Sequence, residues 1–241
     1  MHNDPASGPS EPVLGSLGRT HENRPGLPRG RSSLSSEEVG SAQRDRLVRA
    51  MIAATAEQGY PAVMIADVVR RARVSRKAFY AHFADKQACF LAAADLGVAL
   101  MFRRVAEAVA AVGQAPEPLA PLRAGLGAYL RFLAGEPEFA RVFLVEGLAA
   151  GPAALERFAA AHRRFAELTR RWYEAARTDH PDWAEAPDAA YTAVIGALHE
   201  LVAVEVRARR TAALPELEGT VLRVHRALLM GWPGGAPDRE G

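Results

Sequence analysis

Cysteine and lysine are nearly missing from this 241-residue chain: one cysteine, Cys89, and two lysines, Lys77 and Lys86. A single cysteine excludes an internal disulfide framework and fits a reducing compartment. Set in an apolar helical stretch, Cys89 reads as a buried structural thiol. No run approaches the ~18 uncharged apolar residues of a membrane span, and the first residues lack the apolar core of a signal peptide, so the chain reads as cytoplasmic with no membrane partner. Neither lysine follows a glycine, which excludes a P-loop, and Gly125 and Gly127 lack the third glycine of a dinucleotide turn. His199-Glu200 is not followed by the second histidine of a zinc helix, the seven histidines are scattered, and no G-x-S-x-G elbow occurs. The expectation is a protein with no catalytic residues, no metal and no cofactor.

What is there is arginine. Thirty basic residues against 28 acidic ones leave a formal charge of only +2, so positive charge matters only where it is concentrated. The concentration lies in Asp67 to Lys86, DVVRRARVSRKAFYAHFADK. Val68, Ala72, Val74, Phe79 and Phe83 recur at helical spacing on both sides of a turn, so two short helices can share one small core. Arg70, Arg71, Arg73, Arg76 and Lys77 crowd that turn with no acid between them, an electrostatic footprint for phosphate. A solvated, arginine-rich helix pair is the plainer reading of charge alone.

The match extends beyond charge. Ala72, Val74, Ser75, Phe79, Tyr80, His82, Phe83 and Lys86 stand in the order A.VS...FY.HF..K. This resembles the helix-turn-helix signature of the TetR family of transcriptional regulators over roughly residues 43 to 91. The resemblance implies an all-α protein, with an N-terminal three-helix DNA-binding domain joined to a C-terminal helical bundle. Ser75 suits the N-cap of the recognition helix, leaving Arg76, Lys77 and Tyr80 as candidates for its exposed face. By resemblance Tyr80 and Lys86 hold phosphates, while Arg76 and Lys77 read base edges or a flanking phosphate. Ala78 stands where the family has threonine and offers a methyl to thymine. His82 either donates to phosphate or packs on the bracing helix. Two departures from the pattern matter: Met64 replaces a capping threonine, and Arg73 replaces a glycine in the turn. A residue with a side chain held at positive φ costs about 1 kcal/mol, so either Arg73 tolerates the strain while reaching phosphate or the turn adjusts.

Taken in order, residues 1–34 are rich in Pro, Gly and Ser and read as a disordered arm. Its end carries Arg29 and Arg31, which either belong to an inert tail or enter the minor groove beside the recognition helix. Residues 35–85 form the DNA-binding domain, opened by a Ser35/Glu38 capping box and with its first helix ending at Gly59. Residues 86–231 form the effector-binding and dimerisation domain, starting with a link helix from Lys86 to about Val112, and residues 232–241 form a disordered tail.

Within the body, Tyr129, His162 and Tyr191 are the candidate pocket residues, for a small apolar or amphipathic effector. The last two helices carry the stripes Tyr191, Val194, Leu198, Leu201 and Leu217, Val221, Val224, Leu228. Family resemblance makes these the dimer surface; periodicity alone suits an intramolecular core equally. The expected function is that of a homodimeric repressor on a near-palindromic double-stranded DNA operator, released when an effector tilts the link helix. A regulator controlled by a protein partner without an effector, and a helical enzyme, are the alternatives.

Overall fold

A computed structural model describes residues 17–19, 35–113 and 117–231. These residues form nine α-helices and no strand. Arg29, Arg31 and the residues after 231 lie outside the described residues.

Helix α1 (Ser36–Gln58) starts at the expected capping box. Ser35 Oγ accepts the Glu38 N–H at 3.1 Å and the Glu38 carboxylate accepts the Ser35 N–H at 2.6 Å. That backbone bond holds the Glu38 carboxyl below its usual pKa. The helix stops at Gly59, whose φ of 80° suits a residue without Cβ. Its inner face, Leu47, Val48, Met51, Ile52 and Ala54, is fully buried. Helices α2 (Ile65–Ala72) and α3 (Arg76–His82) cross it, closing a small core of Val68, Ala72, Phe79 and Phe83. Cys89 is buried beside α1, its Sγ 3.8 Å from the Leu47 carbonyl, and burial pushes the thiol up to about 12. It is inert, as its setting predicts.

The link helix α4 (Lys86–Val112) starts from the Asp85 N-cap and packs chiefly along α5 (Ala120–Gly135). Midway, Gly97 faces α6 (Pro137–Leu144) so closely that a Cβ there would fall 1.9 Å from the Phe139 ring. Only glycine permits this crossing. A 3-10 turn, Glu146–Ala150, leads through Gly151 into α7 (Pro152–Asp179). The 3-10 turn separates α6 from α7, which opens at Pro152, a residue suited to a first helical position.

Helices α8 (Asp188–Arg207) and α9 (Glu218–Met230) complete the body. Helix α8 stops at Arg207, and the chain turns left-handed at Arg209 (φ 58°). Pro215 lies in a 3-10 turn, Thr211–Leu217, and not in α9. By length and composition α8 alone among the described helices could cross a membrane, yet Val194, Leu198, Val202 and Val206 are buried in the bundle.

Two expectations need correcting. The arm was expected to be disordered throughout, yet Leu17 is fully buried in the core and its N–H donates to the Glu136 carboxylate at 3.0 Å. An isolated leucine among glycines and serines shows no periodicity, which is why its burial was not legible. The assigned dimer stripe is also largely internal: Tyr191, Val194, Leu198 and Val221 are at most 5% exposed within one chain, and Leu201, Leu217, Val224 and Leu228 are half-buried. Periodicity marked a true apolar face, and that face closes the chain's own core.

Candidate nucleic-acid interface and effector cavity

The α2–α3 turn is built from two backbone features. Arg73 adopts φ 56°, ψ 42°, its N–H bonds the Arg70 carbonyl, and the Val74 N–H returns to Val69. This is the left-handed helix stop that usually takes glycine. The turn has not adjusted; Arg73 carries the strain. Ser75 then caps α3, its Oγ accepting the Ala78 N–H at 3.0 Å. With Ser75 so engaged, Arg76, Lys77 and Tyr80 stand exposed on one side of α3, Tyr80 54% exposed and supported edge-on by Phe79. No acid lies in the first turn of α3. Met64 has no capping hydroxyl; instead the Asp67 carboxylate accepts its N–H at 3.0 Å, which with Arg70 lowers the Asp67 pKa.

The basic surface is narrower than composition suggested. Arg71 is turned inward to Glu57 and Arg70, though exposed, pairs with Asp67; Arg73, Arg76 and Lys77 are exposed beside it. Ala78 is half-buried. His82 is half-buried too, against Gly40 of α1 and tilted on Phe83, which favours packing on the bracing helix over phosphate contact.

Lys86 departs from the expected role. Its ammonium donates to the carbonyls of Tyr60 (3.0 Å), Val63 (3.0 Å) and Pro61 (3.4 Å), 4.4 Å from the Tyr60 ring centre. All three ammonium protons have acceptors, so Lys86 pins the α1–α2 loop to the link helix and is not available to phosphate. From the other side, the Glu146 carboxylate accepts the Tyr60 N–H at 3.2 Å while Arg141 holds its second oxygen at 2.9 Å. No local pattern could announce a contact spanning 86 residues.

Within the body, residues of α4, α5, α7, α8 and α9 line a solvent-open cavity of about 390 Å³. Its wall is apolar, including Phe102, Val105, Leu122, Leu126, Phe165 and Trp172. Exposed Arg164 stacks on Phe102, its guanidinium carbon 4.1 Å from the ring centre. Of the three predicted pocket residues only Tyr129 lines this cavity, and burial pushes its phenol pKa up. His162 and Tyr191 line a separate groove of about 480 Å³ between α7 and α8, beside the Arg170–Asp188 pair. There burial, reinforced by His199, lowers His162 to about 4, and burial first raises Tyr191 to about 12. The reading of one pocket from three polar residues is therefore corrected to two sites. His225 on α9, which the sequence did not single out, joins Tyr129 and Thr169 as a buried polar residue of the cavity.

A capped, basic, solvent-facing short helix on a three-helix head, joined by one long helix to a helical body, has the arrangement of a helix-turn-helix domain on a larger bundle. Residues 47–93 match the family model described as bacterial regulatory proteins, tetR family. No curated protein matches the chain. Among solved structures, the fatty acid degradation regulator FadR from Bacillus halodurans superposes with a TM-score of 0.66 at 18% identity, covering 86% of this chain and 100% of that one. FadR from Bacillus subtilis in complex with stearoyl-CoA gives 0.65 at 16% identity, covering 78% and 98%. A TetR-family regulator from Pectobacterium atrosepticum gives 0.59 at 23%, covering 83% and 100%. Residues 47–93 thus match the tetR-family helix-turn-helix model, and the described chain shares its fold with solved regulators of that kind.

Proposed function

We propose that the protein acts in the cytoplasm as a homodimeric repressor, with α3 of each subunit in adjacent major grooves of a near-palindromic operator. The observation that carries this is the joint exposure of Arg76, Lys77 and Tyr80 on a capped, acid-free helix. Arg76 and Lys77 lie at the helix start, where side chains reach base edges or flanking phosphates, and Arg73 in the preceding turn serves a phosphate. Half-sites are then spaced by about one helical turn.

An apolar or amphipathic small molecule in the α4–α5–α7 cavity releases the operator. The Bacillus subtilis relative is described with stearoyl-CoA, a ligand with a long apolar part. In this chain the link helix supplies Phe102, Val105 and Val109 to the cavity wall and Lys86 to the head. Filling the cavity shifts α4 and with it the distance between the two recognition helices. Linkage requires DNA to weaken effector binding by the same factor.

The test is selection of bound fragments from random DNA at two salt concentrations, repeated with Arg76→Ala and Lys77→Ala. A palindromic motif, lost or relaxed in the variants, supports the reading. Weak binding without a motif, equally salt-sensitive in all three proteins, overturns it.

A further inference from the structure

The effector cavity contains a polar group that a purely apolar ligand cannot satisfy. His225 is 1% exposed and lines the cavity from α9. Its Nδ1 lies 2.7 Å from the Val221 carbonyl one turn back on its own helix. A carbonyl only accepts, so Nδ1 carries the proton and donates. The ring's other nitrogen, Nε2, lies on the far side of the ring from that bond and has no hydrogen-bond partner and no solvent. In that tautomer Nε2 is an acceptor alone. Burial lowers the histidine to about 4, against the smaller opposing effect of the Val221 bond, so the ring is neutral at physiological pH. Across the apolar wall Tyr129 is also buried, and its hydroxyl makes no hydrogen bond with a described residue.

Resting on the effector reading above, we propose that the effector is an apolar alcohol or phenol whose hydroxyl donates to His225 Nε2. A carboxylate or phosphate at that point would set acceptor against acceptor, and an unsubstituted alkyl or acyl chain would leave Nε2 buried and unpaired. A hydroxyl satisfies the acceptor and keeps an oxygen lone pair for a donor such as Tyr129. A site with a buried, waiting acceptor discriminates strongly against analogues that lack the donor. The ligand class thus departs from a plain acyl chain at one defined atom.

The test uses the full-length protein and three probes of matched chain length, 1-decanol, decyl methyl ether and decanoate, followed by fluorescence of Trp172 in the cavity wall. Decanol is expected to bind about tenfold tighter than the ether or the carboxylate. In His225→Phe, which keeps a ring and removes the acceptor, that preference falls to within about twofold. Equal binding of decanol and the ether, or a preference that survives His225→Phe, overturns the hydroxyl assignment while leaving an effector cavity in place. Failure of all three probes to bind overturns the assignment together with the cavity's effector role. Should His225→Phe not fold, the alcohol-to-ether ratio in the unaltered protein decides by itself.

Discussion

Glu146, in the body, accepts the backbone N–H of Tyr60, in the DNA-binding head, at 3.2 Å. The carboxylate is 8% exposed, and Arg141 holds its other oxygen. Because Tyr60 also gives its carbonyl to Lys86, a single loop is held from both the link helix and the α6–α7 turn. Glu146→Ala leaves the Tyr60 N–H and the Arg141 guanidinium without that acceptor. The expected loss is about 1–3 kcal/mol in urea unfolding, together with a smaller drop in operator affinity on saturation with effector. Full retention of that drop would assign the coupling to α4 alone.

Arg73 holds a left-handed conformation at a cost of about 1 kcal/mol relative to glycine. Arg73→Gly is expected to raise stability by about that amount while weakening operator binding, with the slope of log K against log salt falling by about 1. Titrations at several salt concentrations beside thermal melts check both halves.

Lys86 gives the contrasting case. Lys86→Met removes the donor to three carbonyls and should destabilise the fold by about 2 kcal/mol. Below the melting transition the salt slope of DNA binding stays unchanged, since no phosphate contact is lost. Lys77→Ala does the reverse: stability holds and the slope falls by about 0.9.

The contrast shows what the sequence made legible. Ser35, Ser75, Asp85 and Gly59 each do locally what their residue type dictates, so helix starts and the head's core followed from spacing. The nature of Lys86 was clear, its partners were not, because one aliphatic stem reaches either a phosphate or the loop and only packing chooses. Periodicity found the apolar face of α8 correctly and could not say whether it met its own chain or another. His225 has no neighbouring motif at all; its meaning arises only when α9 closes over α4, α5 and α7.

With Tyr191, Val194 and Leu198 inside, the proposed homodimer, if it forms through α8 and α9, uses their outward side. That side presents Ala193, Gly196 and Val204 on α8 and Ala227 on α9, small residues that permit close helix approach. Val204→Glu and Ala227→Glu are expected to give monomers in sedimentation with retained helicity and weakened operator binding. Dimers persisting in both variants would move the interface elsewhere.

The buried histidines set the acid response. His225 and His162 are both lowered from 6.5 to about 4 by burial, and His199 is lowered too. A histidine kept neutral in the native state binds its proton more readily when unfolded, so the unfolded state takes up more protons in this range and stability is lost as pH is lowered. Their contribution is complete above about pH 6.5 and is lost as pH falls toward 4. For His225, 1% exposed, the shift amounts to on the order of 3 kcal/mol. Glu38 and Asp67, whose carboxyls are lowered, act in a separate window below their ordinary values of 4.5 and 3.8. Urea unfolding at pH 7 and pH 5 should therefore show a marked loss of stability before any carboxylate window opens. In His225→Phe the loss between these two pH values shrinks by about one proton's share, while its dependence below pH 4 is unaltered. An unchanged pH 7 to pH 5 difference in that variant would mean that His225 is protonated or solvated in the native protein.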